Sequence, residues 1–281
     1  TVITDALAPV SITNRIPVDF TVAYDDVGHA ITVTSVQAGI GTNTTVIPNV
    51  NLPFIMKGAE RAYIGFLGRT GGEYTENIIS DFSFERTGGT EGAVSDTPYL
   101  AFSEITGTGS LVKRGNAALG LVGDIDHATS NLSVRLEEGG LVLRKSSIEP
   151  FGQSAGARSD WVLSTQALWT DDSTLQPCPY KSNVNGTVTT VRRVRVSDAW
   201  TASFTFLFGQ RTVKPAEAFC FFLHNDPRGP GYSAGNTSMA GFEGMANSIG
   251  LRWFFYPDYA NTESIILGRN GAWVGSYQKH T

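Results

Sequence analysis

The side chains able to do acid–base, nucleophilic or metal chemistry are few and scattered along this chain. Four histidines, His29, His127, His224 and His280, show no spacing that one metal ion could share. Glu137-Glu138 reads as part of a hairpin turn and Asp171-Asp172 as part of a loop. No Glu-x-Asp-x-x-Glu run sets carboxylates at alternate strand positions, where an acid and a nucleophile would face one cleft. Neither Cys178 nor Cys220 has a candidate base close in sequence. The expectation is a protein that binds or builds rather than an enzyme.

Other reactive types carry structural readings. Cys178 lies in a Pro-Cys-Pro loop and Cys220 in an apolar strand. A disulfide between them would pin loop to core, while a cysteine in a buried strand serves equally as a small hydrophobe. Arg192, Arg193 and Arg195 alternate with valines in TVRRVRV, as on the solvated side of a strand. With a formal charge of −5, the chain lacks the clustered cations that displace counterions from nucleic acid. No apolar run approaches the ~18 residues that a membrane span requires. Four Asn-x-Ser/Thr sequons begin at Asn43, Asn131, Asn185 and Asn236, and they lean towards an extracellular glycoprotein.

The elements that must position these groups are strands. Thirty-one Gly and twelve Pro supply turns, only 17% of residues are charged, and the apolar runs are short and rich in Val, Ile, Phe and Thr. In PVDFTVAYDDVGHAITVTSV two alternating runs flank the turn Asp25 to Gly28, which predicts a hairpin. LPFIMKG is a short apolar turn, followed by strands in RAYIGFLG and IISDFSFER. Residues 87–110 are rich in Gly, Ser and Thr and read as a linker. Beyond it, LSVRLEEGGLVLRKS predicts a second hairpin turning at Glu-Glu-Gly-Gly, and VTTVRRVRV and WTASFTFLFG predict further strands.

Two stretches look like parts of one known domain. AFCFFLHNDPRGPGYSAGNTSMAGFEGMANSIGLRWFFY, from residue 218, resembles the middle of an L-type (legume-type) lectin. AERAYIGFLGRTGGEYTENIISDFSF, residues 59–84, resembles its closing segment, yet comes first here. The family's opening is matched in order by Gly115-Asn116-Ala117, Gly140 to Leu143, Gln153 to Ala157 and Ser203 to Phe206. The resemblance implies an all-β, concanavalin A-like jelly-roll sandwich. Residues 1–86 would supply its C-terminal third and residues 111–281 its N-terminal two thirds. Either the domain is circularly permuted, or a neighbouring copy of the chain completes it. A single sandwich requires Ile64 and Phe66 to share a core with Phe221 and Leu223.

The resemblance also implies a sugar site. The family's sugar-binding Asp falls on Glu217, its glycine-loop amides on Gly231 and Gly235, its Asn on Asn270 with Trp273 as a stacking face, and its closing loop on Thr70, Gly71, Gly72, Glu73 and Tyr74. The family's metal-ligating Glu-x-Asp pair falls on Arg252 and Phe254, and its next two ligands on Ser264 and Gly268, so no metal cofactor is expected. The implied function is an extracellular or cell-surface module binding glycans or glycoproteins without metal. The alternative is a structural repeat of a fibre or surface layer, self-associating with identical copies. A glycoside hydrolase of the same fold is a more distant alternative.

Overall fold

A computed structural model describes residues 2–3, 10–11, 14–87, 100–102, 109–114, 118–121, 132–137, 140–143, 147–148, 161–171, 174–211, 218–233, 241–254 and 264–273. The protein is an all-β sandwich of two large antiparallel sheets, a nine-stranded and an eight-stranded one. Period-two patterning is plain in the eight-stranded sheet, whereas Ala218–His224 and Asn185–Thr190 in the nine-stranded sheet are buried at every position. In Val18–Asp25 every second residue is buried, and the partner Ala30–Gln37 alternates in the same way. These two strands form the predicted hairpin, with Tyr24 opposite Ile31.

The nine-stranded sheet runs, in order of pairing, through Val2–Ile3, Ser264–Arg269, Ser248–Phe254, Ala218–His224, Arg61–Arg69, Asn185–Thr190 and Trp161–Thr165. Ala272–Trp273 pairs with Ser264–Arg269, and Val194–Arg195 with Arg61–Arg69. The eight-stranded sheet runs through Leu168–Trp169, Leu175–Cys178, Thr75–Arg86, Trp200–Arg211, Val18–Asp25, Ala30–Gln37 and Gly41–Ile47. Ser147–Ile148 adds to Thr75–Arg86. Strands from before residue 87 therefore lie between strands from after residue 160. Arg61–Arg69 is flanked by Ala218–His224 and Asn185–Thr190, and Thr75–Arg86 by Trp200–Arg211 and Leu175–Cys178. Within this structure the sandwich is completed by its own chain.

The core between the sheets holds Ile64, Phe66, Phe221 and Leu223 together, with Phe66 opposite Phe221 and Ile64 opposite Leu223. Aromatic rings dominate it. Phe66 meets Phe204 at 5.1 Å and Phe82 at 5.4 Å, both edge to face, and Phe219 stacks on Trp253 at 5.2 Å. Such pairs add about 0.5–1.5 kcal/mol each beyond the area they bury.

Three sequence expectations are corrected. LPFIMKG contains a short helix, Leu52–Ile55, capped by Asn51, whose side chain accepts from the Phe54 N–H at 2.9 Å. The stretch 87–110 contains strands, Leu100–Phe102 and the start of Gly109–Lys113. The hairpin expected across Glu-Glu-Gly-Gly does not form. Leu132–Leu136 pairs in parallel with Gly109–Lys113, and Gly140–Leu143 in parallel with Ala118–Leu121, which pairs in parallel with Leu100–Phe102. Leu100, Leu119 and Leu141 thus stand in one row. Alternation fixes which face a strand buries but not which strand lies beside it. Glu137, expected in a turn, accepts from Arg114 at 2.6 Å and lies 3.4 Å from Arg135. Gly140 to Leu143 accordingly belongs to a small parallel sheet, and Gly115 to Ala117 and Gln153 to Ala157 lie outside the described residues.

Candidate functional site

Strand register decides which of the candidate residues can meet. At one end of the nine-stranded sheet, Arg69 is opposite Ala218, Ala218 opposite Phe254, and Phe254 opposite Ser264. At the other end, Tyr63 is opposite His224 and His224 opposite Ser248. Gly71, Gly72 and Glu73 follow Arg69 at the first end. Asn270 belongs to the second end, where its N–H donates to the Ser248 carbonyl at 2.9 Å. The seven-residue strand Ala218–His224, ~20 Å long at the rise of a β-strand, separates the two ends. Asn270 therefore does not share a site with Gly71, Gly72 and Glu73, and the reading that joined them is corrected.

Asn270 has a structural task instead. Asn270 (φ 49°) and Gly271 (φ 75°) form the two-residue turn between Ser264–Arg269 and Ala272–Trp273, where both positions need the left-handed backbone. The Asn270 Oδ1 accepts from the Ser248 N–H at 3.3 Å. Trp273 is not an open platform either. Its ring lies over Gly268 and Gly250, where side chains would collide with it, and packs on Phe242 at 4.7 Å. With Leu67, Cys220, Phe222, Phe242 and Met245 it makes a second apolar cluster on the outer face of the sheet. Gly231 faces Val162 at the lateral side of the sheet. Glu217 and Gly235 lie outside the described residues.

Arg252 is buried on that outer face, with its guanidinium 5.4 Å from the Trp273 ring. The family resemblance puts a metal-ligating Glu at this position. A divalent ion would meet a cation here, and Gly268 offers no side-chain ligand, so these residues do not fit the calcium–manganese pair that the resemblance implies. Among the described residues, no three His, Cys, Asp or Glu side chains gather into a cluster suited to a metal.

The cysteines remain thiols. Cys178 faces the interior beneath Gly68, whereas Cys220, opposite Leu67, points to the outer cluster. The sheet stands between them, and the disulfide reading is corrected. Burial pushes the Cys178 pKa up to about 12 and raises that of Cys220 further. Asn185 is only 4% exposed and its Nδ2 reaches Ser233 Oγ at 3.4 Å, leaving no room for a glycan in the folded protein. Asn43 is half-buried on the edge strand Gly41–Ile47, and its Oδ1 accepts from Thr45 Oγ1 at 3.2 Å. Asn131 and Asn236 lie outside the described residues.

Two loop assemblies stand out, one not singled out in the sequence and one that joins the expected closing loop to a segment that was not. The first crosses the outer face after Ala218–His224. Buried Asp226 accepts from the Arg228 N–H at 2.9 Å, from Arg228 Nε at 2.7 Å and from the Ala246 N–H at 2.7 Å. Arg228 lies 3.5 Å over the Tyr232 ring and donates to the Gly244 carbonyl. Burial alone would raise the Asp226 pKa, but the hydrogen bonds from Arg228 and Ala246 outweigh it and hold it at about 2. The neighbouring Asp-Pro-Arg sequence carried this signal, as two oppositely charged residues flanking a turn-forming proline.

The second assembly forms around the closing loop. Thr70 Oγ1 donates to the Lys181 carbonyl at 2.6 Å and accepts from the Val184 N–H at 3.2 Å. The Thr70 N–H donates to the Val184 carbonyl, the Asn183 N–H to the Gly71 carbonyl, and the Gly71 N–H to the Glu73 carbonyl. Segments 70–74 and 179–184 are thereby clasped, and the Tyr74 and Tyr180 rings meet at 4.7 Å. Gly72, Lys181 and Asn183 are exposed and Glu73 is half-exposed. Neither a scan against protein-family models nor a search of curated proteins finds a match for this chain.

Proposed function

We propose that this chain is a concanavalin A-like, jelly-roll carbohydrate-binding module, acting outside the cell or at its surface without a metal cofactor. The observation that carries the reading is the closing loop. Gly71 to Tyr74 follows Arg69 at the sheet end shared by Ala218, Phe254 and Ser264, and is fixed there against 179–184. A polar loop held by backbone hydrogen bonds loses little freedom when it meets a ligand, which suits weak recognition of hydroxyl-rich surfaces.

The structural-repeat reading depends on a neighbouring copy supplying the missing strands. Arg61–Arg69 and Thr75–Arg86 already have partners on both sides within the chain, so that reading has less to draw on. The hydrolase reading needs carboxylates free for proton transfer. Glu137 is held by arginines and Asp226 by Arg228, which favours binding over catalysis.

A printed glycan array incubated with the folded chain, with and without chelator, tests the proposal. Binding of defined glycans above background, equal in both conditions, is expected. An empty array from protein that melts cooperatively would remove the reading.

A further inference from the structure

We infer that Tyr180, paired with Tyr74, is the aromatic platform of the sugar site, and that it selects neutral pyranosides with a continuous apolar C–H face. The inference rests on the carbohydrate-binding reading and adds a residue from an element not part of the expected site. Tyr180 is 41% exposed, unlike the aromatic rings of the core, and its ring is inclined at 56° to that of Tyr74. Its backbone is fixed from both sides. Upstream, Pro177 and Pro179 restrict the chain around buried Cys178, which packs beneath Gly68 and whose Sγ lies 3.7 Å from the Val184 carbonyl. Downstream, the Lys181 and Val184 carbonyls are both held by Thr70.

An aromatic ring held out in this way offers apolar area with little rotamer entropy left to lose. The C–H bonds on one face of a pyranose are its only apolar surface, and they pack on an aromatic face while the hydroxyls stay in reach of polar neighbours. Glu73 and Lys181, each next in sequence to one of the rings, and Asn183 on the same clasped segment carry such groups at exposed or half-exposed positions. Protein docking fits less well, because a stable interface buries over ~1,000 Å² and needs an apolar centre larger than two rings. Glu73 and Lys181, one of each sign, flank the two rings in sequence, so their charges balance rather than favour an acidic or basic sugar.

The test compares the whole chain with Tyr180→Ala and Tyr180→Phe on the same glycan array, with thermal melts of all three. The expected result is signal on neutral glycans that falls at least tenfold for Tyr180→Ala and stays within about twofold for Tyr180→Phe, with melting temperatures unchanged. Tyr180→Phe also guards against loss of folding in the alanine variant. Wild-type signals that persist in Tyr180→Ala, or that are confined to acidic glycans, would overturn the platform and leave the module reading intact. No signal from the wild type would overturn both.

Discussion

His224 is buried on the outer face of Ala218–His224, packed against Tyr63 at 5.1 Å and Phe222 at 5.6 Å. Its Nδ1 accepts from the Asp226 N–H at 3.2 Å. Burial pushes its pKa down from 6.5 to about 4, so the folded protein holds the ring neutral where the unfolded chain would protonate it. Between those values the unfolded state binds more protons. Stability is therefore full above about pH 6.5 and is lost as pH falls towards 4, by about 3 kcal/mol in all. Thermal melts at pH 7.5 and 5 should show a clear fall in Tm, and the fall should shrink in His224→Gln. An unchanged pH dependence in that variant would assign it to other groups. Gly186 makes a second prediction at this scale. A Cβ there would lie 1.8 Å from the Pro177 carbonyl oxygen and 2.7 Å from the Ala167 nitrogen. Gly186→Ala should cost about 3 kcal/mol or more, because backbone in the strand Leu175–Cys178 and in the turn at Ala167 must move, and a Tm within two degrees of wild type would refute it. The sequon at Asn185-Gly186-Thr187 marks this tightly packed place, so a pattern that reads as surface chemistry is here part of the interior.

The clasp between 70–74 and 179–184 depends on one hydroxyl more than on any other group. Thr70→Val keeps the shape but leaves the Val184 N–H without its acceptor and the Lys181 carbonyl without its donor. The expected cost is about 1–3 kcal/mol, with hydrogen exchange accelerated at 179–184 rather than across the sheets. Uniform acceleration, or none, would mean that the two segments are not coupled as described. What the sequence revealed at this scale follows from what patterning encodes. The Val18–Asp25 and Ala30–Gln37 hairpin was legible because a short turn forces its flanking strands together. Ile64, Phe66, Phe221 and Leu223 were legible as one core because each strand's inward positions alternate. Strand partners are set by long-range packing that leaves no local trace, so Leu132–Leu136 and Gly140–Leu143 were joined to each other when each has a different, parallel neighbour. The same gap misplaced Asn270, which was matched by residue type while its strand register put it at the far end of the sheet. Tyr180 gave no signal because its ring partner, Tyr74, lies more than a hundred residues away in sequence.

At the scale of the molecule, internal completion of both sheets predicts a monomer at low concentration. Light scattering on dilute protein should give the mass of one chain, while polymers that grow with concentration would restore the structural-repeat reading. Neither piece should stand alone: a fragment of residues 1–86 should show no cooperative melt, because Arg61–Arg69 would lose its neighbours on both sides and expose its apolar inner face. The interleaved order has a kinetic side as well. The strand Arg61–Arg69 is made well before Ala218–His224 and is not enclosed until that strand has followed it, so this sandwich cannot fold in the order in which it is made. Such distant pairing places folding in the millisecond to second range or slower. While it waits, the early segment exposes a run of Ile, Phe and Leu. A chain of this design benefits from staying unfolded until Ala218–His224 is available, and a translation pause before residue 218 would leave the apolar strand Arg61–Arg69 uncovered.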